Sequence, residues 1–295
     1  MKQYQIINIS TTLFLSLLLH FLFFYQAMNA RIIGSGNEAI VLAHGYGADQ
    51  SFWDKITPSL ARTYRVLVFD WNFSGSVKDP NLYDSAKYSS YDAFADDLIA
   101  LLVEFNLRAS VFMGHSMSGM IGCIASIKRP ELFKRLILIG SSPRYFNDDN
   151  YEGGFESSVI EQMFSNMESN FDEWASYFAS LVANAKNPLS VEKYEKSLRA
   201  MRPEVALSVA KTVFHCDERD ILDKVMTPCT IIQTTNDAAV PNSVAEYMQK
   251  KIKGETTVEK IDMDGHFPHL NAHLQFLNVL GSVLGFNPHL ESSDN

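Results

Sequence analysis

Three residues far apart in the chain carry the groups that acyl transfer needs: Ser116 in "VFMGHSMSGM", Asp237 in "QTTNDAAVP" and His266 in "MDGHFPHL". A serine hydroxyl is a weak nucleophile near neutral pH until an imidazole takes its proton, and a carboxylate must hold that imidazole in the right tautomer. Ser116 lies where an apolar run meets small residues, the pattern of a tight strand-to-helix turn of the form G-x-S-x-G. Position 118 is Ser instead of Gly, a departure of one hydroxymethyl group, and Gly119 follows directly. Taken alone, such a serine also reads as an N-cap before a helix. Asp237 and His266, each just past an apolar run, turn the reading towards catalysis. A helix starting at Met117 would aim N–H groups and the positive end of its dipole at the space beside the hydroxyl. "AHGYGADQSFW", residues 43 to 53, supplies a second donor: Gly45 and Gly47 allow a tight loop in which the Tyr46 N–H joins that of Met117 as an oxyanion hole. His269 and His273 are spare bases, expected on the surface of the last helix. Asp264 is a spare carboxylate, too near His266 in sequence to orient its ring easily.

Such residues must be carried by a scaffold that gathers them, and the chain alternates between two kinds of segment. "EAIVLAHG", "YRVLVFDW", "SVFMG", "FKRLILIG", "CTIIQTTND" and "TTVEKIDMDGH" read as strands, most of them buried on both faces. "SYDAFADDLIALLVEFNL", "GMIGCIASI", "SVAEYMQKKI" and "HLQFLNVLGSVLG" read as helices between and after them, the first with Ser90 and Asp92 at its start. Strand–helix alternation predicts an α/β fold with a mostly parallel, doubly wound sheet, whose loops gather at the carboxyl ends of the strands. Residues 146–220 break the alternation with aromatic-rich helical sequence, separable at Asn170, Asn187-Pro188 and Pro203. They predict a helical insertion above the sheet.

Composition narrows the function classes. The chain has 295 residues, 46% of them hydrophobic and 20% charged, which suits one large α/β domain. Its net charge of −9 comes without a basic run, so no nucleic-acid partner is expected. Cys123, Cys216 and Cys229 are far apart and odd in number, so reduced thiols are expected in place of disulfides. No H-x-x-x-H or clustered His/Asp set suggests a metal, no cofactor is expected, and a haloalkane-type mechanism would put Asp at position 116. Residues 6–25, "IINISTTLFLSLLLHFLFFY", contain no charged side chain and follow Lys2, as in a signal peptide or marginal anchor. The run is borderline for crossing roughly 30 Å of hydrocarbon, it is interrupted by polar residues, and "QAMNA" is a poor cleavage site. Residues 1–26 are therefore set apart as an extension. A cytoplasmic or nuclear protein is expected, with endoplasmic reticulum or membrane anchoring through residues 6–25 as the alternative, and the sequon Asn72-Phe73-Ser74 as a reporter of secretion.

The order Ser, Asp, His is that of α/β-hydrolases, and longer stretches narrow the likeness. "HGYGADQSFW", "GHSMSGMIGCIASIKRPELF", "LILIGSSPRYFNDDNYEGGF", "MRPEVALSVAKTVF", "QTTNDAAVP" and "DGHFPHL" resemble the plant butenolide-receptor hydrolases, the karrikin and strigolactone receptor family. The resemblance covers about residues 27–286 and leaves a polar tail, 287–295. It implies an α/β-hydrolase domain with a four-helix lid, a triad of Ser116, His266 and Asp237, and a small butenolide or related ester as ligand. It also implies a deep apolar pocket formed by Tyr46, His115, Tyr145, Phe155, Met163, Trp174, Phe178, Val213, Phe214 and Ala239. Gly119 stands where these receptors tend to have Ala, and Tyr46 where they tend to have Phe, so the chain looks most like the divergent dwarf-fourteen-like branch. Three functions fit: slow hydrolysis by the triad, ligand sensing in which the lid recruits a signalling protein, and general carboxylesterase activity.

Overall fold

A computed structural model describes residues 28–288. The hydrophobic segment 6–25 and the tail beyond residue 288 lie outside the described residues. β1 (Arg31–Ile33), β2 (Ala39–Ala43) and β3 (Arg65–Val68) are followed by β4 (Ser110–His115), β5 (Phe133–Ile139), β6 (Cys229–Asn236) and β7 (Thr256–Asp264). They form a seven-stranded sheet in the order β1-β3-β2-β4-β5-β6-β7. β1 runs antiparallel to β3 and every other pair is parallel. The α/β, doubly wound reading therefore holds, with an antiparallel edge strand added.

Helices cover both faces of the sheet. α1 (Thr57–Ala61), α2 (Tyr91–Glu104) and α3 (Met117–Lys128) precede the insertion, which consists of α4 (Ser157–Ser169), α5 (Phe171–Ala183), α6 (Pro188–Arg199) and α7 (Pro203–Phe214). α8 (Asn242–Lys251), α9 (Pro268–Asn271) and α10 (His273–Leu284) follow it. β2 and β4 are buried along their whole length because helices lie above and below them. One face packs Ile40, Val66 and Met113 against Trp53, Leu60, Phe276 and Leu280. The other packs Val41, Leu67 and Phe112 against α2, α3 and the insertion. Burying each such large apolar side chain contributes roughly 1.5–3 kcal/mol before conformational entropy is charged against it.

The insertion's helices end where the sequence breaks them. Asn170 caps α5 by accepting from the Glu173 N–H, Asn187 caps α6 by accepting from the Ser190 N–H, and Pro188 and Pro203 stand at the first turns of α6 and α7. Proline is tolerated there because the N–H it lacks would have no intrahelical acceptor. Two sequence expectations are corrected. His269 is not on the surface: it is 1% exposed, in the short helix α9, with its ring stacked 4.2 Å from that of Trp53. Asn72 and Ser74 of the sequon are each 4% exposed, so a glycan could not be accommodated on this fold.

Candidate active site

β4 ends at His115 and α3 begins at Met117, so Ser116 makes the turn by itself. Its backbone stands at φ 56° and ψ −125°, a conformation that costs a non-glycine residue on the order of 1–3 kcal/mol. The turn closes only because its neighbours are small. A Cβ on Gly114 would lie 2.6 Å from the Ser118 carbonyl, and one on Gly119 would run into the Ser141 hydroxyl.

Asp237 and His266 follow β6 and β7, at the same edge of the sheet. His266 Nδ1 lies 2.7 Å from Asp237 Oδ2. A carboxylate only accepts, so Nδ1 carries the proton and Nε2 is left as a base. Asp237 Oδ1 is fixed by the N–H groups of Ala239 at 2.8 Å and Val240 at 3.2 Å. The Asp237 side chain is wholly buried and that of His266 is 4% exposed. Gly140, at φ 53°, makes this approach possible, since a Cβ there would sit 2.9 Å from His266 Cε1 and 3.4 Å from Asp237 Oδ2. Asp264 faces elsewhere, accepting from Asn236 Nδ2 at 2.7 Å and pairing with Lys186 at 3.1 Å.

The loop after β2 completes the site. Trp71 N–H donates to His44 Nε2 at 3.0 Å, so His44 Nδ1–H is the donor to the Gly45 carbonyl at 2.9 Å. Burial keeps this histidine neutral, pulling its pKa below the ordinary value. The peptide bonds are trans, so with the Gly45 carbonyl turned to His44 the Tyr46 N–H points the opposite way. Gly45 approaches the turn so closely that a Cβ would lie 2.9 Å from that of Ser116. The Met117 N–H belongs to the first turn of α3, where N–H groups have no intrahelical acceptor. The segments that carry the two expected oxyanion-hole donors, Tyr46 and Met117, thus meet beside Ser116.

Ser116, His266, Tyr46, His115, Tyr145, Phe178, Val213, Phe214 and Ala239 line one cavity, together with Val182, Tyr194 and Phe267. Tyr145 Oη stands 3.4 Å from Ser116 Oγ. His115 donates from Nε2 to the His266 carbonyl at 2.9 Å, and burial holds its pKa well below the usual histidine range. Phe155, Met163 and Trp174 do not line this cavity. They line a separate cleft of about 560 Å³ between α4 and α5. The cavity at Ser116 measures only about 20 Å³, space for about one water by the same measure. Phe178 lines both spaces and is the wall between them, with Trp174 stacked on it at 5.1 Å. The Tyr46 hydroxyl donates its proton to the Ala206 carbonyl of α7 at 3.0 Å, which leaves it only as an acceptor. Sequence reasoning missed Gly140, Val182, Tyr194 and Phe267 as site residues, although Gly140 and Phe267 stand inside the quoted stretches "LILIGSSPRYFNDDNYEGGF" and "DGHFPHL". A glycine ending the strand "LILIG" was the one available signal.

Residues 38–272 match the family model described as the alpha/beta hydrolase fold. Among curated proteins, the chain is 46% identical to "Strigolactone esterase RMS3" of Pisum sativum over 84% of its own length and 92% of that protein's. It is 44% identical to "Strigolactone esterase D14" of Arabidopsis thaliana, covering 88% of this chain and 97% of that one. It is 42% identical to "Karrikin insensitive 2 receptor CA" of Petunia hybrida, with 84% and 92% covered. Among solved structures, a hydrolase from Oleispira antarctica superposes with a TM-score of 0.86 at 30% identity, covering 90% of this chain and 97% of that one.

Proposed function

We propose, from the premise that the chain belongs to the α/β-hydrolase fold family and within it to the plant strigolactone-esterase and karrikin-receptor group, that it hydrolyses a small butenolide or related ester at Ser116. Ser116 Oγ attacks the carbonyl, His266 Nε2 takes the proton and returns it to the leaving group, and Asp237 fixes the tautomer; a water that gives its proton to His266 Nε2 then displaces the acyl group, and that proton returns to Ser116 Oγ. The N–H groups of Tyr46 and Met117 hold the oxyanion as it forms. The observation that carries this reading is the strained Ser116 turn opening onto a cavity that His266 also lines, with Asp237 bonded to His266 Nδ1 behind it. Ser116→Ala should lower kcat for a short-chain ester by a factor on the order of 10⁴ or more, with the melting temperature kept. More than a tenth of wild-type activity left in that variant would remove Ser116 from the role.

Ligand sensing is a second reading, favoured by one contact. The His266 N–H donates to the Val182 carbonyl of α5 at 2.9 Å, so the base and the insertion are joined directly. A ligand that displaces α5 would be felt at the histidine, and a partner protein that reads the position of α5 would sense occupancy. Turnover and partner capture compared between wild type and Ser116→Ala separate the two: capture without turnover favours sensing.

A reducing compartment is the proposed setting. Cys123, Cys216 and Cys229 are all free thiols. Full-length chain recovered from plant cells should fractionate away from membranes. Recovery in the membrane pellet would overturn this placement and leave the hydrolase reading intact.

A further inference from the structure

The two donors of the oxyanion hole belong to separate segments, and a buried side chain outside the triad joins them. Ser118 Oγ donates to the His44 carbonyl at 2.5 Å and accepts from Trp71 Nε1 at 2.9 Å. Trp71 Nε1 shares its proton with the same His44 carbonyl at 3.0 Å. Ser118 and Trp71 are wholly buried, and His44 is 1% exposed. Ser118 is next to Met117 in the first turn of α3, while His44 is two residues before Tyr46 and holds the Gly45 carbonyl through Nδ1. The hydroxyl is thus a cross-link one residue from one donor and two from the other. A glycine at this position, the usual residue of the turn motif, could make no such link.

We propose that Ser118 is a positioning residue that fixes the distance between the Tyr46 and Met117 N–H groups, so the departure from G-x-S-x-G supports the reaction. This rests on the hydrolase reading above. Hole donors act on charge that exists only in the transition state, so loosening them lowers kcat and leaves KM in place. Removing one donor outright costs on the order of 10²–10³ in kcat, and unclamping both without removing either should cost about ten- to fifty-fold.

The test is kcat for p-nitrophenyl acetate per acylatable serine, counted by burst titration, for Ser118→Ala, Ser118→Gly and Ser118→Thr. Alanine and glycine should lower kcat per titrated site about tenfold or more with KM within about twofold, and threonine, which keeps the hydroxyl, should recover most of the loss. If alanine at this buried position folds poorly, the glycine variant, with the residue that the turn motif ordinarily carries, gives the same reading. Unchanged kcat per titrated serine, with any loss confined to the number of active sites, would overturn the proposal and assign Ser118 to packing. Failure of Ser116→Ala to abolish the burst would instead sink the hydrolase reading beneath it.

Discussion

Ser116, Asp237 and His266 were legible at the residue scale because their types, their order and their places after apolar runs are all sequence properties. Residues that act by proximity were not, since nothing in the spacing brings Gly140 to the Asp237–His266 pair or Ser141 to Gly119. That second contact accounts for one departure from the receptor pattern: the Ser141 hydroxyl fills the space where an alanine methyl at position 119 would stand. His269 shows the opposite failure, because a histidine beside a helix reads as surface until its stack on Trp53 is seen. Burial pushes its pKa down to about 3. The sign of the pH effect follows. The unfolded chain takes up a proton as pH falls below about 6.5 while the folded chain does not, so stability is lost as pH drops from about 6.5 towards 3. Each such group contributes a slope of up to about 1.4 kcal/mol per pH unit. His44 and His115, also lowered by burial, act in the same direction. His269→Gln should therefore flatten the fall in unfolding free energy between about pH 6 and pH 4 by close to one proton, measured by urea titration across that range. An unchanged slope would mean that His269 is protonated within the fold.

Among the elements, the strands and major helices of the sheet domain were readable from hydrophobic runs and periodicity, and the insertion's breaks from Asn and Pro. β1 was not, because three residues at an exposed edge carry no pattern. The division of the insertion's aromatic residues was not legible either. Helical spacing places Trp174 and Phe178 on one face of α5, yet Phe178 reaches the catalytic cavity and Trp174 only the outer cleft. The two should respond differently to truncation. Phe178→Ala joins the spaces, so kcat/KM for bulky esters should rise relative to acetate, with a loss of stability of about 3–5 kcal/mol. Trp174→Ala removes the ring that backs Phe178 and should change access for bulky esters while leaving acetate turnover within about threefold. Steady-state kinetics on an ester series, with melting curves, reads both. Equal loss on every ester in both variants would show that the rings only pack.

For the whole molecule, the sequence conveyed one α/β unit with an inserted helical layer, because strand–helix alternation and its interruption are long-range patterns that survive local ambiguity. Cavity size was not legible, since it depends on how rings from α5, α6, α7 and the β2 loop meet in space. The structure has about 20 Å³ at the nucleophile beside about 560 Å³ outside it. A butenolide-sized ligand needs more space at Ser116 than this form has, so its binding would draw on molecules in which the cavity is wider. Apparent affinity is the open form's affinity multiplied by the fraction of molecules open: at about one in a hundred, the dissociation constant rises about a hundredfold, or about 2.7 kcal/mol. A substitution that touches no ligand atom but raises that fraction tightens binding by the same factor.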